Sequence, residues 1–296
     1  MKYIIILSFF YCSSSSYAQQ FKLESATAHY KTLQEFSGSE NQQRAWMDTI
    51  RYPPAEYGSS ILYLLTKPYY LSENQVKTLT ESVEFPKNSS DQVRKELEYM
   101  LDLQGKRTSD LLTRVESLAH IGYWPSISLI PTHPSYEQNL KDLFFEAHEV
   151  FGENISAQNF PKIAKVLQGV MQDMRLMEFS IKYKHLRPRP YHLEPKLEPL
   201  ARIHSPSFVS GHTLWAYIQA LVWSKIIPEK QQEFMALAEE IRRSREIMGI
   251  HFPSDNESAR QVAYQMLTYY FKKETFQNDF KEAEREWKSS RHKYIK

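Results

Sequence analysis

The chain of 296 residues has little cysteine and little glycine. Its single cysteine, Cys12, cannot form a disulfide within the chain, so the fold has to be held by its core alone. Glycine occurs 8 times against 19 tyrosines, and no series of segments alternates apolar and polar residues in the manner of strands. These absences exclude a disulfide scaffold and favour an all-α helical bundle.

Long apolar runs and an excess of one charge are lacking as well. The longest apolar candidate after the N-terminus, residues 214–227, is interrupted by Gln219, Ser224 and Lys225. It is shorter than the roughly 20 residues that a membrane span needs, so it predicts a buried helix. The formal net charge of +2 gives no reason to expect a nucleic-acid partner.

The N-terminus has the three parts of a secretory signal peptide. Lys2 precedes the apolar run 3–12, and Ser16 and Ala18 supply the small residues of a cleavage site. We expect cleavage after Ala18 and a periplasmic or secreted protein. A membrane anchor is the alternative, but the run is too short to span a bilayer; lipid attachment at Cys12 is disfavoured by the bulky residues before it.

Helical periodicity dominates after residue 89. Ser90 is the predicted N-cap of a helix that continues to about residue 118, and Pro134 begins a helix that stops at Gly152. Further helices are predicted over 160–183, 213–226, 228–250, 255–271 and from residue 274 onward. The chain is therefore expected to divide into a signal peptide (1–18), an N-terminal extension packed on the core (19–89) and a helical domain (90–296).

Three segments of the C-terminal half carry residues that can grip a phosphate. Lys182 to Pro190 reads Lys-x6-Arg-Pro, residues 210–212 read Ser-Gly-His, and Ser244 to Asp255 reads Ser-Arg-x5-His-x3-Asp. Together they supply three cations, two histidines, a carboxylate and a glycine turn. This set suits phosphoryl transfer without a metal.

The order and spacing of these segments resemble the type 2 phosphatidic acid phosphatase superfamily. That superfamily also holds the vanadium haloperoxidases and the soluble bacterial class A non-specific acid phosphatases, which the chain resembles most. The resemblance runs from about Ser180 to the C-terminal helices and implies an all-α bundle of the phosphatidic acid phosphatase/haloperoxidase type. Val209 stands where the family usually has proline, so the geometry of the loop before Ser-Gly-His is open.

The predicted phosphate-binding groups come from all three segments. Arg189 and Arg245 can make bidentate contacts to phosphate oxygens, and Lys182 adds a compact third charge. Ser210 is placed to cap the following helix, which leaves amides at Gly211 and the next residue free for an anion.

The catalytic groups follow from the chemistry and from the resemblance. His251 is the candidate nucleophile, which would form a phosphohistidine, and Asp255 would bond its other ring nitrogen. The resemblance implies that His212 is the general acid. Residues 254–257 predict a capping box that starts a helix, from which Asp255 reaches back to His251; the alternative is that Asp255 only complements the helix dipole.

No metal or other cofactor is expected, because the remaining histidines match no metal-ligand spacing. Asp173 and Glu178 are interpreted as surface or ion-pair residues.

The sequence thus predicts an exported, metal-independent acid phosphatase that hydrolyses soluble phosphomonoesters. The alternatives are a vanadate-dependent haloperoxidase, a phosphatase specific for pyrophosphate or lipid phosphates, and a phosphate-binding protein without activity. The expected partner is a small phosphate ester, and the oligomeric state stays open.

Overall fold

The structure is a computed structural model that describes residues 31–36, 45–119, 132–152 and 154–294. In these ranges the chain forms eleven α-helices and several short 3-10 segments, without a β-strand, so the predicted all-α class is confirmed. The helices are α1 (Glu73–Ser82), α2 (Asp91–Gly105), α3 (Ser109–Ala119), α4 (Tyr136–Leu143), α5 (Phe145–Phe151), α6 (Pro161–His185), α7 (Pro190–Leu193), α8 (Gly211–Ile226), α9 (Gln231–Ile247), α10 (Pro253–Tyr270) and α11 (Glu274–Ser290). The predicted signal peptide lies outside the described residues.

Helix α8 forms the centre of the bundle. Fourteen of its 16 residues are buried, because apolar side chains occupy all its faces. It packs most extensively against α9 and α10, and also against α6. None of the helices in the described part of the chain is long and apolar enough to cross a membrane.

Two hydrophobic clusters make up the core. The larger joins α1, α4–α6 and α8–α11, and it includes Phe208 and Val209 just before α8. The smaller joins α2 to residues between α9 and α10, among them Ile250 and Phe252. The two segments that carry Ser-Gly-His and His251 are therefore anchored in different clusters.

The single helix predicted from Ser90 to about residue 118 is wrong, because the chain breaks it into α2 and α3. The Ser90 cap itself is present, with its hydroxyl accepting from Val93 N at 3.3 Å. At the break, Thr108 Oγ1 accepts from Leu111 N at 3.3 Å, which caps the second helix locally. Arg107 also donates to the carbonyl oxygens of Ile247 (2.6 and 2.9 Å) and Glu198 (2.8 Å).

Other helix ends also differ from the prediction. The helix expected up to Gly152 is divided at Phe144 into α4 and α5, although Gly152, at φ +80°, ends it as expected. Helix α9 ends at Ile247, before Gly249, which adopts φ +73°. Ser254 is not the N-cap of α10, because Pro253 already occupies the first position of that helix. A missing N–H costs nothing at this position.

The segment before α1 is tied to α6 by Asp173. This residue is fully buried, and its carboxylate accepts from the backbone N–H groups of Tyr69 (2.5 Å), Tyr70 (2.9 Å) and Leu71 (2.9 Å). The surface interpretation of Asp173 is therefore wrong. The division of the chain at residue 89 stays a prediction.

Candidate active site

The three sequence segments meet at one cavity of about 400 Å³. Its wall includes five of the predicted site residues, namely Lys182, Arg189, Gly211, His212 and His251. The other three, Ser210, Arg245 and Asp255, are buried and are not part of the lining. Helices α6 and α8 and the link from α9 to α10 thus converge. The sequence of the three segments did not reveal that they lie together.

His251 lies between a carboxylate and a guanidinium. Its Nδ1 is 3.3 Å from Asp255 Oδ2, and its Nε2 is 2.9 Å from Arg189 Nη1. A guanidinium can only donate, so this network assigns the ring hydrogen to Nδ1 and the lone pair to Nε2. Burial and the nearby Arg189 charge lower the pKa of His251 well below its usual value. The ring is therefore neutral, with its free lone pair held by Arg189.

Asp255 is held in place from several sides. Its carboxylate accepts from Arg187 Nη1 (2.6 Å), Ser207 Oγ (2.5 Å) and Phe252 N (3.0 Å). Burial raises the pKa of Asp255, but the Arg187 charge and the hydrogen bonds from His251 and Ser207 outweigh it and keep that pKa below its usual range. Asp255 is thus ionised, and it can stabilise the His251 ring when that ring becomes positively charged.

Arg187 is the supporting residue that the sequence did not single out. Its guanidinium lies between the rings of Phe85 (5.0 Å) and Phe252 (3.9 Å) and also donates to Ser254 Oγ at 2.9 Å. Glu96 bonds the same serine (2.8 Å), and burial raises the pKa of Glu96 to about 7. Arg187 and Arg189 form an Arg-x-Arg doublet in the sequence, of which the motif pattern selected only Arg189; packing decides that Arg187 supports Asp255.

Lys182 and Arg189 are anchored by backbone carbonyls. Lys182 Nζ donates to the carbonyls of Pro206 (2.8 Å) and Ser207 (3.2 Å), and Arg189 donates to those of Ser205 (2.9 Å) and Ile250 (2.9 Å). Burial and the Arg189 charge lower the pKa of Lys182 to about 7. An anion in the cavity would raise the pKa of Lys182, because its negative charge favours the protonated amine.

Arg245 and His212 are neighbours, because the charge of Arg245 acts on the His212 ring. Arg245 donates to Ser244 Oγ at 2.8 and 2.9 Å; burial lowers its pKa, but a guanidinium stays charged at any pH where proteins fold. His212 Nε2 lies 3.1 Å from the carbonyl of Ala119, so that nitrogen carries a hydrogen. Burial and the Arg245 charge lower the pKa of His212 well below its usual value.

The N-terminus of α8 has the predicted cap. Ser210 Oγ accepts from Thr213 N (3.4 Å) and donates to Thr213 Oγ1 (2.9 Å), which in turn bonds Asn256 on α10 (2.7 Å). The peptide bond between Phe208 and Val209, at the position of the family's proline, is cis. A Cβ at Gly211 would overlap the Glu178 carboxylate, so this carboxylate packs directly against the backbone at the start of α8.

The described residues contain no group of three or more His, Cys, Asp or Glu side chains arranged to hold a metal ion. The charged groups that face the cavity are instead mainly cationic, with Arg175 and Arg202 beside Lys182 and Arg189. Chemically, the arrangement offers a neutral imidazole lone pair, amide donors and cations around one space, which is suited to an anionic ligand.

Parts of the chain are similar in sequence to a known protein family and to named proteins. Residues 166–278 match the PAP2 superfamily. The non-specific acid phosphatase of Providencia stuartii is 31% identical over 147 residues, which are 47% of this chain and 58% of that protein. The non-specific acid phosphatase of Salmonella typhi is 32% identical over 120 residues, 38% and 48% of the two chains. The chain thus spans about half the length of these relatives.

Among solved structures, the chain is similar to a bacterial vanadium-dependent iodoperoxidase. The TM-score is 0.52 at 14% identity, and the match covers 85% of this chain and 62% of the other. At this identity the likeness shows the fold alone.

Proposed function

We propose that this chain, whose residues 166–278 form a PAP2 superfamily domain, is an acid phosphatase that hydrolyses soluble phosphomonoesters. The observation that carries the proposal is the position of His251 Nε2. This lone pair lies at the wall of the cationic cavity, and Asp255 orients the ring from its other nitrogen. The named activity of the relatives from Providencia stuartii and Salmonella typhi supports the same reaction class.

In the first step, the phosphoryl group binds to Lys182, Arg189, Arg245 and the amides at the start of α8. Arg189 moves its hydrogen bond from His251 Nε2 to a phosphate oxygen, which frees the lone pair. Nε2 then attacks phosphorus, and the bond from phosphorus to the ester oxygen breaks. His212 donates a proton to the departing oxygen. The product is a phosphohistidine whose positive ring is stabilised by Asp255.

In the second step, water attacks the phosphohistidine. The N–P bond breaks, its electron pair returns to Nε2, and the water proton passes to His212. Inorganic phosphate leaves, and both histidines are restored. The cations that neutralise the phosphate oxygens in each transition state are Lys182, Arg189 and Arg245, so the proposed reaction needs no metal.

We also propose where the protein is located. The segment 1–18 has the composition of a signal peptide, so we propose export to the periplasm or the medium, with cleavage after Ala18. A small phosphate ester is the proposed partner.

The test is hydrolysis of 4-nitrophenyl phosphate by the purified protein in the presence of a chelator. We expect turnover by the wild type and essentially none by His251→Ala, since every substrate needs the nucleophile. His292→Ala, which changes an exposed histidine, is the matched control and is expected to keep full activity.

Activity that disappears with the chelator and returns with zinc or magnesium would overturn the proposal. Iodide oxidation that depends on added vanadate, without phosphate release, would favour the haloperoxidase alternative.

A further inference from the structure

Glu178 places a carboxylate inside the proposed phosphate pocket. It lies on α6 one turn before Lys182, it is 5% exposed, and it lines the cavity together with Gly211, His212 and His251. The interpretation of Glu178 as a surface residue is wrong, whereas its ion pairing is confirmed: Glu178 Oε2 is 2.8 Å from Arg175 Nη1.

This carboxylate is packed directly against the start of α8. If Gly211 carried a Cβ, its nearest neighbours would be the three carboxyl atoms of Glu178. Gly211 is the first residue of α8, where backbone N–H groups have no partner within the helix and the helix dipole attracts negative charge. Glu178 therefore holds a negative charge at the position where the pocket would bind an anion.

Two neighbouring cations hold Glu178 unequally. Among the described residues, Arg175 pairs closely with Glu178, whereas Lys182 Nζ is 3.8 Å away and donates to two backbone carbonyls. A phosphoryl group that reaches the α8 amides has to displace this carboxylate together with Arg175, or bind beside a like charge. Both routes cost binding free energy.

We infer that Glu178 competes with the phosphoryl group for the N-terminus of α8 and thereby limits the affinity of the pocket for inorganic phosphate. This rests on the proposed function only in that the pocket binds a phosphoryl group. In a hydrolytic cycle the effect would be to expel the product, because free phosphate carries no leaving group whose contacts could offset the repulsion. Glu178 is thus an affinity-setting residue, separate from the groups that react.

The experiment is calorimetric titration of the full chain with inorganic phosphate at pH 7. We expect Glu178→Gln to lower the dissociation constant at least tenfold, since the amide keeps the shape of the side chain and removes its charge. The inhibition constant of phosphate in the hydrolysis assay is expected to fall by the same factor.

Glu257→Gln is the matched control. Glu257 forms the same kind of i,i+3 pair with an arginine, at 2.7 Å from Arg260, it is similarly buried, and it does not line the cavity. Its loss is expected to leave the phosphate dissociation constant within a factor of two.

An equal or weaker affinity for phosphate in Glu178→Gln, with a native thermal transition, overturns the inference. If that variant does not fold, Glu178→Asp replaces it; the shorter side chain withdraws the charge from Gly211, and an unchanged dissociation constant overturns the inference in the same way. Tighter phosphate binding without ester hydrolysis would sustain the inference and overturn the proposed function. Hydrolysis by the wild type, together with unchanged phosphate binding in the variants, would sustain the proposed function and overturn the inference.

Discussion

At the scale of single residues, the surroundings of His251 and His212 favour the neutral form of both rings. Burial is the main cause for each, and the charges of Arg189 and Arg245 act in the same direction on His251 and His212. A neutral His251 suits a nucleophile, but an acid has to carry a proton before it can donate one. His212 is therefore expected to become protonated only when a dianion enters the pocket.

This coupling predicts proton uptake on anion binding. Sulfate is a suitable probe, because it stays dianionic near neutral pH and contributes no proton of its own. Titration calorimetry in buffers of different ionisation enthalpy is expected to show uptake of a fraction of a proton or more near pH 7, shared between His212 and Lys182. His212→Gln is expected to reduce that uptake, and proton release by the wild type would contradict the assignment.

The acid role of His212 predicts a dependence on the leaving group. His212→Ala is expected to slow an alkyl phosphate by roughly 100-fold or more, because an alkoxide needs a proton as it departs. Hydrolysis of 4-nitrophenyl phosphate, whose leaving group departs unaided, is expected to slow much less. The measurement is kcat for both substrates. Equal losses would remove His212 from the acid role.

At the scale of elements, α6 joins the N-terminal segment to the site. Its middle turn carries Asp173, which binds the backbone N–H groups of residues 69–71, and its last turns carry Glu178 and Lys182. The 3-10 segment Ser59–Leu65 also packs on α6, and residues 58–60 line the cavity. The position of one cavity wall therefore depends on contacts far from the motifs.

Asp173→Asn tests this anchor. An amide can offer only one acceptor oxygen, so at least one buried N–H group loses its partner, at a cost of about 1–3 kcal/mol in the free energy of unfolding. Burial raises the pKa of Asp173 to about 6, so urea denaturation is measured at pH 8, where the carboxylate is ionised. Asp102→Asn, at a surface ion pair with Lys106, is the control and is expected to change stability by less than about 0.5 kcal/mol. Equal effects of the two substitutions would show that the anchor contributes little.

Helices α5 and α8 meet at a second buried carboxyl group. Glu146 is fully buried and accepts from Trp215 Nε1 at 2.9 Å, and burial raises the pKa of Glu146 from 4.5 to about 8. A raised folded-state pKa contributes stability that is fully present below the unfolded-state value and is lost as pH rises through the folded-state value.

Glu146→Gln removes that titration. Its free energy of unfolding, compared with the wild type, is therefore expected to improve as pH rises from 5 to 8, by at most about 1.4 kcal/mol per pH unit. Urea denaturation of both proteins at pH 5, 6.5 and 8 measures the difference. A difference that does not vary with pH would contradict the protonated state of Glu146.

At the scale of the whole molecule, the site exists only where the two hydrophobic clusters meet. Ser210 follows Phe208 and Val209 of the larger cluster, while His251 lies between Ile250 and Phe252 of the smaller one. Unfolding of either cluster separates His251 from the start of α8. A ligand that bridges the two segments should therefore stabilise the whole bundle.

Orthovanadate is the ligand for this test, because its adduct with the nucleophile resembles the transition state. At 100 times its dissociation constant it is expected to add about 2.7 kcal/mol to the free energy of unfolding, which corresponds to a rise of roughly 5 °C or more in the melting temperature. His251→Ala is expected to lose most of this rise. A rise that is equal in the variant would place vanadate elsewhere.

The sequence by itself determined the all-α class, the cap at Ser90 and the stop at Gly152, because periodicity, capping and glycine conformation act over a few neighbouring residues. It also identified the groups that converge at the cavity, because phosphate chemistry requires particular residue types at short spacings, as from His251 to Asp255. The roles of these residues remain proposals.

Only the tertiary structure decided the role of Arg187, because its position beside Asp255 depends on the rings of Phe85 and Phe252. Long-range contacts likewise joined Arg107 to Ile247 and buried Glu178 against Gly211. These features join residues from separate elements, and their free energies depend on packing and burial that no local pattern in the chain records.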